Sequence, residues 1–116
     1  PYMVLQEKGF EYNQISEIMA NTDVLVAPSI WYETFGFTVL EALSYGVPVI
    51  VSNHVGAKDV IGRCGIIVKA GDKNDLKEAL CGLNKTKLAE LRRIINTEFH
   101  IRTWEKFLED NYILYK

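Results

Sequence analysis

Two glutamates, Glu33 and Glu41, stand on either side of Phe35-Gly36-Phe37-Thr38, and this is the one stretch of the chain that reads as a site. Carboxylates accept hydrogen bonds from hydroxyl groups, and the free N–H groups that open a helix attract anions. Two carboxylates beside a phosphate would repel it unless they address other parts of the same molecule, so the pattern suits a ligand with both hydroxyls and phosphate. Gly36 permits a backbone conformation, or a ligand approach, that a Cβ would obstruct. Each carboxylate also has a plainer reading. Thr38 and Glu41 have capping-box spacing, in which Thr38 accepts from a free helix N–H and Glu41 reaches back to the Thr38 N–H. Glu33, flanked by Trp31, Tyr32 and Phe35, is either a partly desolvated carboxylate with a task or a loop glutamate.

Other chemistries lack residues to carry them. No GxGxxG and no GxxxxGK[ST] is present, which removes support from nicotinamide enzymes and ordinary P-loop enzymes. His54 follows a strand and reads as polar loop surface, and His100 opens the last helix; neither neighbours a Ser or Cys in a nucleophile elbow. Cys64 and Cys81 fall in different elements without CxxC or ligand spacing, and both read as reduced thiols. No metal-ligand cluster is visible. The 116 residues are 48% hydrophobic and 24% charged, the composition of one globular domain, and the net charge of −2 gives no footprint for nucleic acid. No run approaches the ~20 apolar residues of a membrane span, and nothing resembles a signal peptide, so a cytoplasmic location, or a membrane-peripheral one in a full-length protein, is expected. The opening Pro1, with Tyr2-Met3-Val4-Leu5 already strand-like, reads as a start inside a fold.

The elements that must position the site alternate. Residues 2–6 have strand propensity. Asn13 can cap a helix carrying Ile15, Ile18 and Met19. Residues 23–28 form a second strand, whose unbroken apolar character predicts burial on both faces. A helix runs from about Thr38 to Tyr45 and stops at Gly46, with Pro48 opening the strand 48–52. A helical turn near 58–61 leads to a strand at 65–69. From Asp72 the period is helical, with stripes at Leu76, Ala79, Leu80 and Leu83, then Leu88, Leu91, Ile94 and Ile95, then Ile101, Trp104 and beyond. The class is therefore α/β, a Rossmann-like parallel sheet with helices on both faces. Tyr12 and Phe10, near the end of the first strand, could stack on a base or form core edge.

Asp23 to Ser29, Glu33-Thr34-Phe35-Gly36-Phe37-Thr38-Val39-Leu40-Glu41-Ala42-Leu43, Gly46-Val47-Pro48-Val49-Ile50 and Gly65-Ile66-Ile67-Val68 together resemble the donor-binding domain of retaining nucleotide-sugar glycosyltransferases of the two-Rossmann-domain (GT-B) architecture. The family is glycosyltransferase family 4, the glycosyl transferases group 1. The resemblance implies one partial donor domain over residues 1–116, with a core of about 1–83 and C-terminal helices from about 84. Glu33 would be the glutamate near the transferred sugar and its anomeric centre. The amides around Phe35, Gly36, Phe37 and Thr38 would hold sugar and diphosphate, Glu41 the ribose hydroxyls, and Tyr12 the nucleobase. Gly56-Ala57-Lys58-Asp59 departs from the family's glycine-pair and glutamate pattern and inherits no role. The implied partners are a nucleoside diphosphate sugar and a preceding acceptor domain of the same protein; no metal or cofactor is implied, and this portion would not catalyse alone. Of the fold's strand order 3-2-1-4-5-6 the chain would supply strands 3 to 6, leaving the edge of 23–27 open to residues 2–6 or to a second copy in a homodimer. A non-catalytic nucleotide- or protein-binding module and a nucleotide-sugar epimerase of related architecture are the competing readings.

Overall fold

The computed structural model describes residues 9–99. The strand at 2–6, His100 and the last helical stripe lie outside them. A 3-10 turn at Tyr12–Gln14 leads into α1 (Ile15–Ala20), followed by β1 (Leu25–Ala27), α2 (Phe37–Ser44), β2 (Val49–Ser52), α3 (Lys58–Ile61), a 3-10 turn at Gly62–Cys64, β3 (Gly65–Val68), α4 (Lys73–Cys81) and α5 (Lys85–Glu98). All three strands pair in parallel in the order β1-β2-β3, with Val26 opposite Ile50 and Ile50 opposite Ile66. Each parallel pair needs a crossover, and α2 and α3 supply the two.

β2 is the buried strand, with all four residues inside. β1, expected to be covered on both faces, is half-buried throughout. The physical reason is lateral position: β1 is an edge strand among the described residues, while β2 has a neighbour on each side. An apolar run reports how far a segment can be buried, not where it lies in the sheet. Side chains alternate across a strand, so Val49 and Val51 share one face. There they join Met19 of α1, Val39, Ala42 and Leu43 of α2, Ile61 and Cys64, and Ile94 and Ile95 of α5 in one core. Ile50 and Ser52 face the other way, the side on which α4 packs against β3.

The helix ends are specified locally. Gly46 N–H donates to Leu43 O at 3.0 Å and Val47 N–H to Ala42 O at 2.9 Å, satisfying the last carbonyls of α2 and turning the chain into β2. Pro48 has no N–H to give, but its carbonyl accepts from Leu25 N–H at 2.9 Å, so the ladder between β1 and β2 begins there. Asp72 caps α4 by accepting from Asn74 and Asp75 N–H, each at 3.0 Å, and Asn84 caps α5 through Lys87 N–H at 2.8 Å. Asn13 caps nothing. Glu11 begins that segment instead, its N–H bonded to the Gln14 side chain at 2.8 Å, and a 3-10 turn precedes the helix. In α4 the apolar stripe is shallow, with Leu80 exposed, whereas Leu91, Ile94 and Ile95 of α5 are buried.

Leu43 is fully enclosed between α2 and the sheet. Leu43→Ala is expected to lower unfolding stability by about 2–5 kcal/mol, read from denaturant melts. Both cysteines are free, Cys64 buried and Cys81 exposed. Burial, reinforced by the Glu98 charge and opposed by Arg63, pushes the Cys64 thiol up. At pH 8, mass spectrometry should therefore find iodoacetamide on Cys81 first, with Cys64 modified only after unfolding.

Candidate functional site

The loops that leave β1 and β2 are joined backbone to backbone. Glu33 N–H donates to His54 O at 2.9 Å and Gly56 N–H to Glu33 O at 3.0 Å, forming a parallel bridge between Glu33 and Val55 beyond the ends of the strands. One step further on, Ala57 N–H donates to Phe35 O at 2.6 Å. The approach leaves no room for a side chain at Gly56, where a Cβ would stand 2.1 Å from Thr34 O. Sequence patterning assigned this glycine nothing; its function is to let the two loops touch.

Gly36 begins α2 in the left-handed region, at φ +87°, and a Cβ there would meet Val55 Cγ1 at 2.8 Å. The helix therefore starts one residue earlier than expected, at Phe37, with Gly36 as its N-cap and no side chain capping it. The capping box expected from Thr38 and Glu41 does not form. Thr38 is the second helical residue, and a capping hydroxyl must precede the first. The consequence bears directly on the site. Among the described residues the N–H groups of Phe35, Gly36, Phe37 and Thr38 have no protein acceptor, and they open the positive end of a helix.

The two glutamates flank these amides differently. One oxygen of Glu33, Oε1, accepts from Ser29 Oγ at 2.5 Å; the other, Oε2, lies 3.6 Å from the point a Gly36 Cβ would occupy, beside the helix start. Glu33 is solvent-exposed, because the Trp31 and Tyr32 rings project outward at 85% and 83% exposure instead of folding over it. Of the two readings its aromatic neighbours left open, the exposure fits the loop glutamate and not the partly desolvated carboxylate. Glu41 is half-buried, and among the described residues its carboxylate has no hydrogen-bond donor. It lines a cavity of about 810 Å³ with Phe35, Phe37, Val60, Cys64 and Phe99. At the rim of that cavity the Arg63 guanidinium bonds the Glu98 carboxylate, which lowers the pKa of Glu98 and raises that of Arg63. Tyr12 does not join the group. It is 86% exposed, and no hydrogen bond or ring contact links it to the loop among the described residues.

The profile of the family described as Glycosyl transferases group 1 matches residues 6–86. The chain belongs to this family. Among its relatives are a phosphatidyl-myo-inositol mannosyltransferase of Mycobacterium leprae, 35% identical over 78 residues (66% of this chain, 21% of the relative), and a sulfoquinovosyl transferase of Arabidopsis thaliana, 38% identical over 68 residues (54% of this chain, 13% of the relative). The solved structure of sucrose-phosphate synthase from Thermosynechococcus elongatus superimposes with a TM-score of 0.67 at 25% identity, over 91% of this chain and 28% of that one. The fold is thus the GT-B-type Rossmann-like α/β arrangement. The chain spans about a fifth or less of the length of these two curated relatives.

The glycosyltransferase match covers the whole loop and helix from Ser29 to Glu41, but the side chains that hold the loop were not singled out by sequence. Ser52, fully buried, donates its Oγ to Ser29 O at 2.6 Å and accepts from His54 N–H at 3.3 Å. His54 Nδ1 lies 2.6 Å from Ile30 O; since a carbonyl only accepts, Nδ1 carries the proton and Nε2 is the free nitrogen. The ring stacks on Tyr32 with centroids 4.0 Å apart. His54, read from sequence as polar surface, is therefore a half-buried tether, and no local signal marks it because its partners are over twenty residues away. Gly56→Ala should force the Thr34 and Val55 segments apart, exposing the amides of Glu33 and Gly56. Their hydrogen exchange should accelerate at least about tenfold while the core amides of Val49–Val51 stay protected.

Proposed function

We propose that the protein of which this chain is the donor-binding portion transfers a sugar from a nucleoside diphosphate sugar to an acceptor, with retention at the anomeric carbon. The observation that carries this reading is the run of unpaired amides from Phe35 to Thr38 at the start of α2, with Glu33 and Glu41 on either side. Departure of the sugar leaves negative charge on the diphosphate. Fixed N–H dipoles at a helix start stabilise that charge without reorganising, which is electrostatic preorganisation. Family membership supports sugar transfer as the reaction, and the paired-glutamate pattern supports retention.

Each residue has a role in this reading. The amides of Phe35, Gly36, Phe37 and Thr38 bind the diphosphate and orient the sugar. Glu33, its Oε2 at the helix start, faces the sugar where positive charge develops at the anomeric carbon. Glu41, half-buried and without a hydrogen-bond donor among the described residues, accepts from the ribose hydroxyls. Tyr12 borders the nucleobase. Its ring is 86% exposed and so offers a face for stacking. The relatives' names carry mannosyl and sulfoquinovosyl groups, so family likeness leaves the sugar open.

Kinetics of the full-length protein test the roles. Contacts to ribose exist equally in the ground and transition states, so Glu41→Gln should raise the donor KM about tenfold to a hundredfold with kcat held. Contacts to a developing charge strengthen on the way to the transition state, so Glu33→Gln should lower kcat more than it raises KM. Neither change should shift the melting temperature much, because neither removes a packed group or a cap. Unaltered donor kinetics in both variants would overturn the reading.

A further inference from the structure

The Glu33 carboxylate is exposed, and an exposed glutamate ordinarily samples many rotamers, which is a poor way to hold a charge beside a reacting centre. Here one of its oxygens is already engaged. Ser29 Oγ donates to Oε1 at 2.5 Å, a charge-assisted bond that leaves Oε2 as the oxygen near the start of α2. Ser29 is itself fixed from behind. Its carbonyl accepts from Ser52 Oγ at 2.6 Å, and Ser52 is 0% exposed, with its hydroxyl both donating and accepting. The next residues are held by the same loop, Ile30 through the His54 ring at 2.6 Å and Tyr32 through stacking on that ring. Backbone bonds to His54 O and from Gly56 N–H then fix Glu33 itself. Every residue from Ser29 to Glu33 except Trp31 is tied to the segment 52–56.

We propose that Ser29 is a positioning residue for Glu33, orienting its carboxylate so that Oε2 faces the donor sugar, and that Ser52 and His54 hold Ser29 and its loop for this purpose. The inference rests on the reading of Glu33 given above, and it assigns Ser29 no contact with substrate. A hydroxyl is what the arrangement needs. Alanine at 29 would free the carboxylate to rotate without touching the amides, so donor affinity should survive while the chemical step slows.

The test uses the full-length protein and whichever of UDP-, GDP- and ADP-sugars the wild type turns over, read as release of nucleoside diphosphate. Ser29→Ala should lower kcat about tenfold and leave the donor KM within about twofold, and Ser29→Thr, which keeps the hydroxyl, should recover most of the loss. In a Glu33→Gln background, Ser29→Ala should cost less than about twofold more, because the group it positions is already altered. An unchanged kcat in Ser29→Ala, or an equal loss in both backgrounds, would overturn the inference while an impaired Glu33→Gln left the reading of Glu33 standing. An unimpaired Glu33→Gln would instead remove that reading and this inference with it. Ser52→Ala adds a check against a purely structural effect. It should reproduce the kcat loss at a temperature where circular dichroism finds the variant folded; a lowered melting point with normal kcat would count against the tether.

Discussion

The pairing of Glu33 with Val55 is the contact on which the carboxyl edge of the sheet depends. Strand pairing between β1 and β2 stops at Ala27 and Val51, yet the chains meet again at Glu33, Gly56 and Phe35. Buried or confined backbone groups must be paired, and these bonds consume the carbonyls of Glu33, Phe35 and His54 and the amides of Glu33, Gly56 and Ala57. What they leave over is the set of N–H groups from Phe35 to Thr38. The amides of Phe37 and Thr38 are free because they open α2, and the loop closure adds those of Phe35 and Gly36 to the same set.

That closure requires two glycines for different reasons. Gly36 must adopt a left-handed conformation against the Val55 side chain, and Gly56 must let a carbonyl approach to a distance no Cβ allows. Between them, the chain reverses and enters α2 with nothing capping it. A helix start without a side-chain cap leaves orphan donors, and with glycine at the N-cap the cost relative to a good capping side chain is only about a few tenths of a kcal/mol. Here glycine occupies the N-cap, and Glu33, with one oxygen on Ser29 and the other beside the helix start, bonds none of its amides among the described residues. The helix start therefore remains available to an external anion.

Much of this was legible along the chain because it is local. The stop at Gly46-Val47-Pro48, the turn at Lys58–Ile61 and the switch to helix after Asp72 are set by residues a few positions apart, and each forms where the pattern places it. The failures share a cause as well. The Thr38–Glu41 capping box had correct spacing but began two residues too late, because Gly36 and its contact with Val55 fixed the helix start from outside. The doubly buried strand was sought in 23–28 and found in 49–52, since burial depends on lateral place in the sheet. Ser52, His54 and Gly56 carried no readable signal, as their partners are Ser29, Ile30 and Thr34 in another loop. Site residues within one loop could be listed from sequence; what holds them could not.

A site made of backbone amides selects by charge and shape, because every residue offers the same N–H. Under the proposed function, discrimination between sugars would fall to side chains around the amides, where a hydroxyl left without its partner costs far more than a lost apolar contact. Among the described residues, the polar side-chain atoms of α2 and of the loops after β1 and β2 without an internal hydrogen-bond partner include Glu33 Oε2, the Glu41 carboxylate, the Thr34 and Thr38 hydroxyls and, on the half-buried ring of His54, Nε2. The first two belong to the stretch that resembles the family. His54 lies in the loop after β2, and its ring is aimed by the bond to Ile30 and the stack on Tyr32. The loop after β2 therefore contributes a fixed polar atom beside the glutamate-bearing loop, held there by contacts with residues more than twenty positions away in sequence.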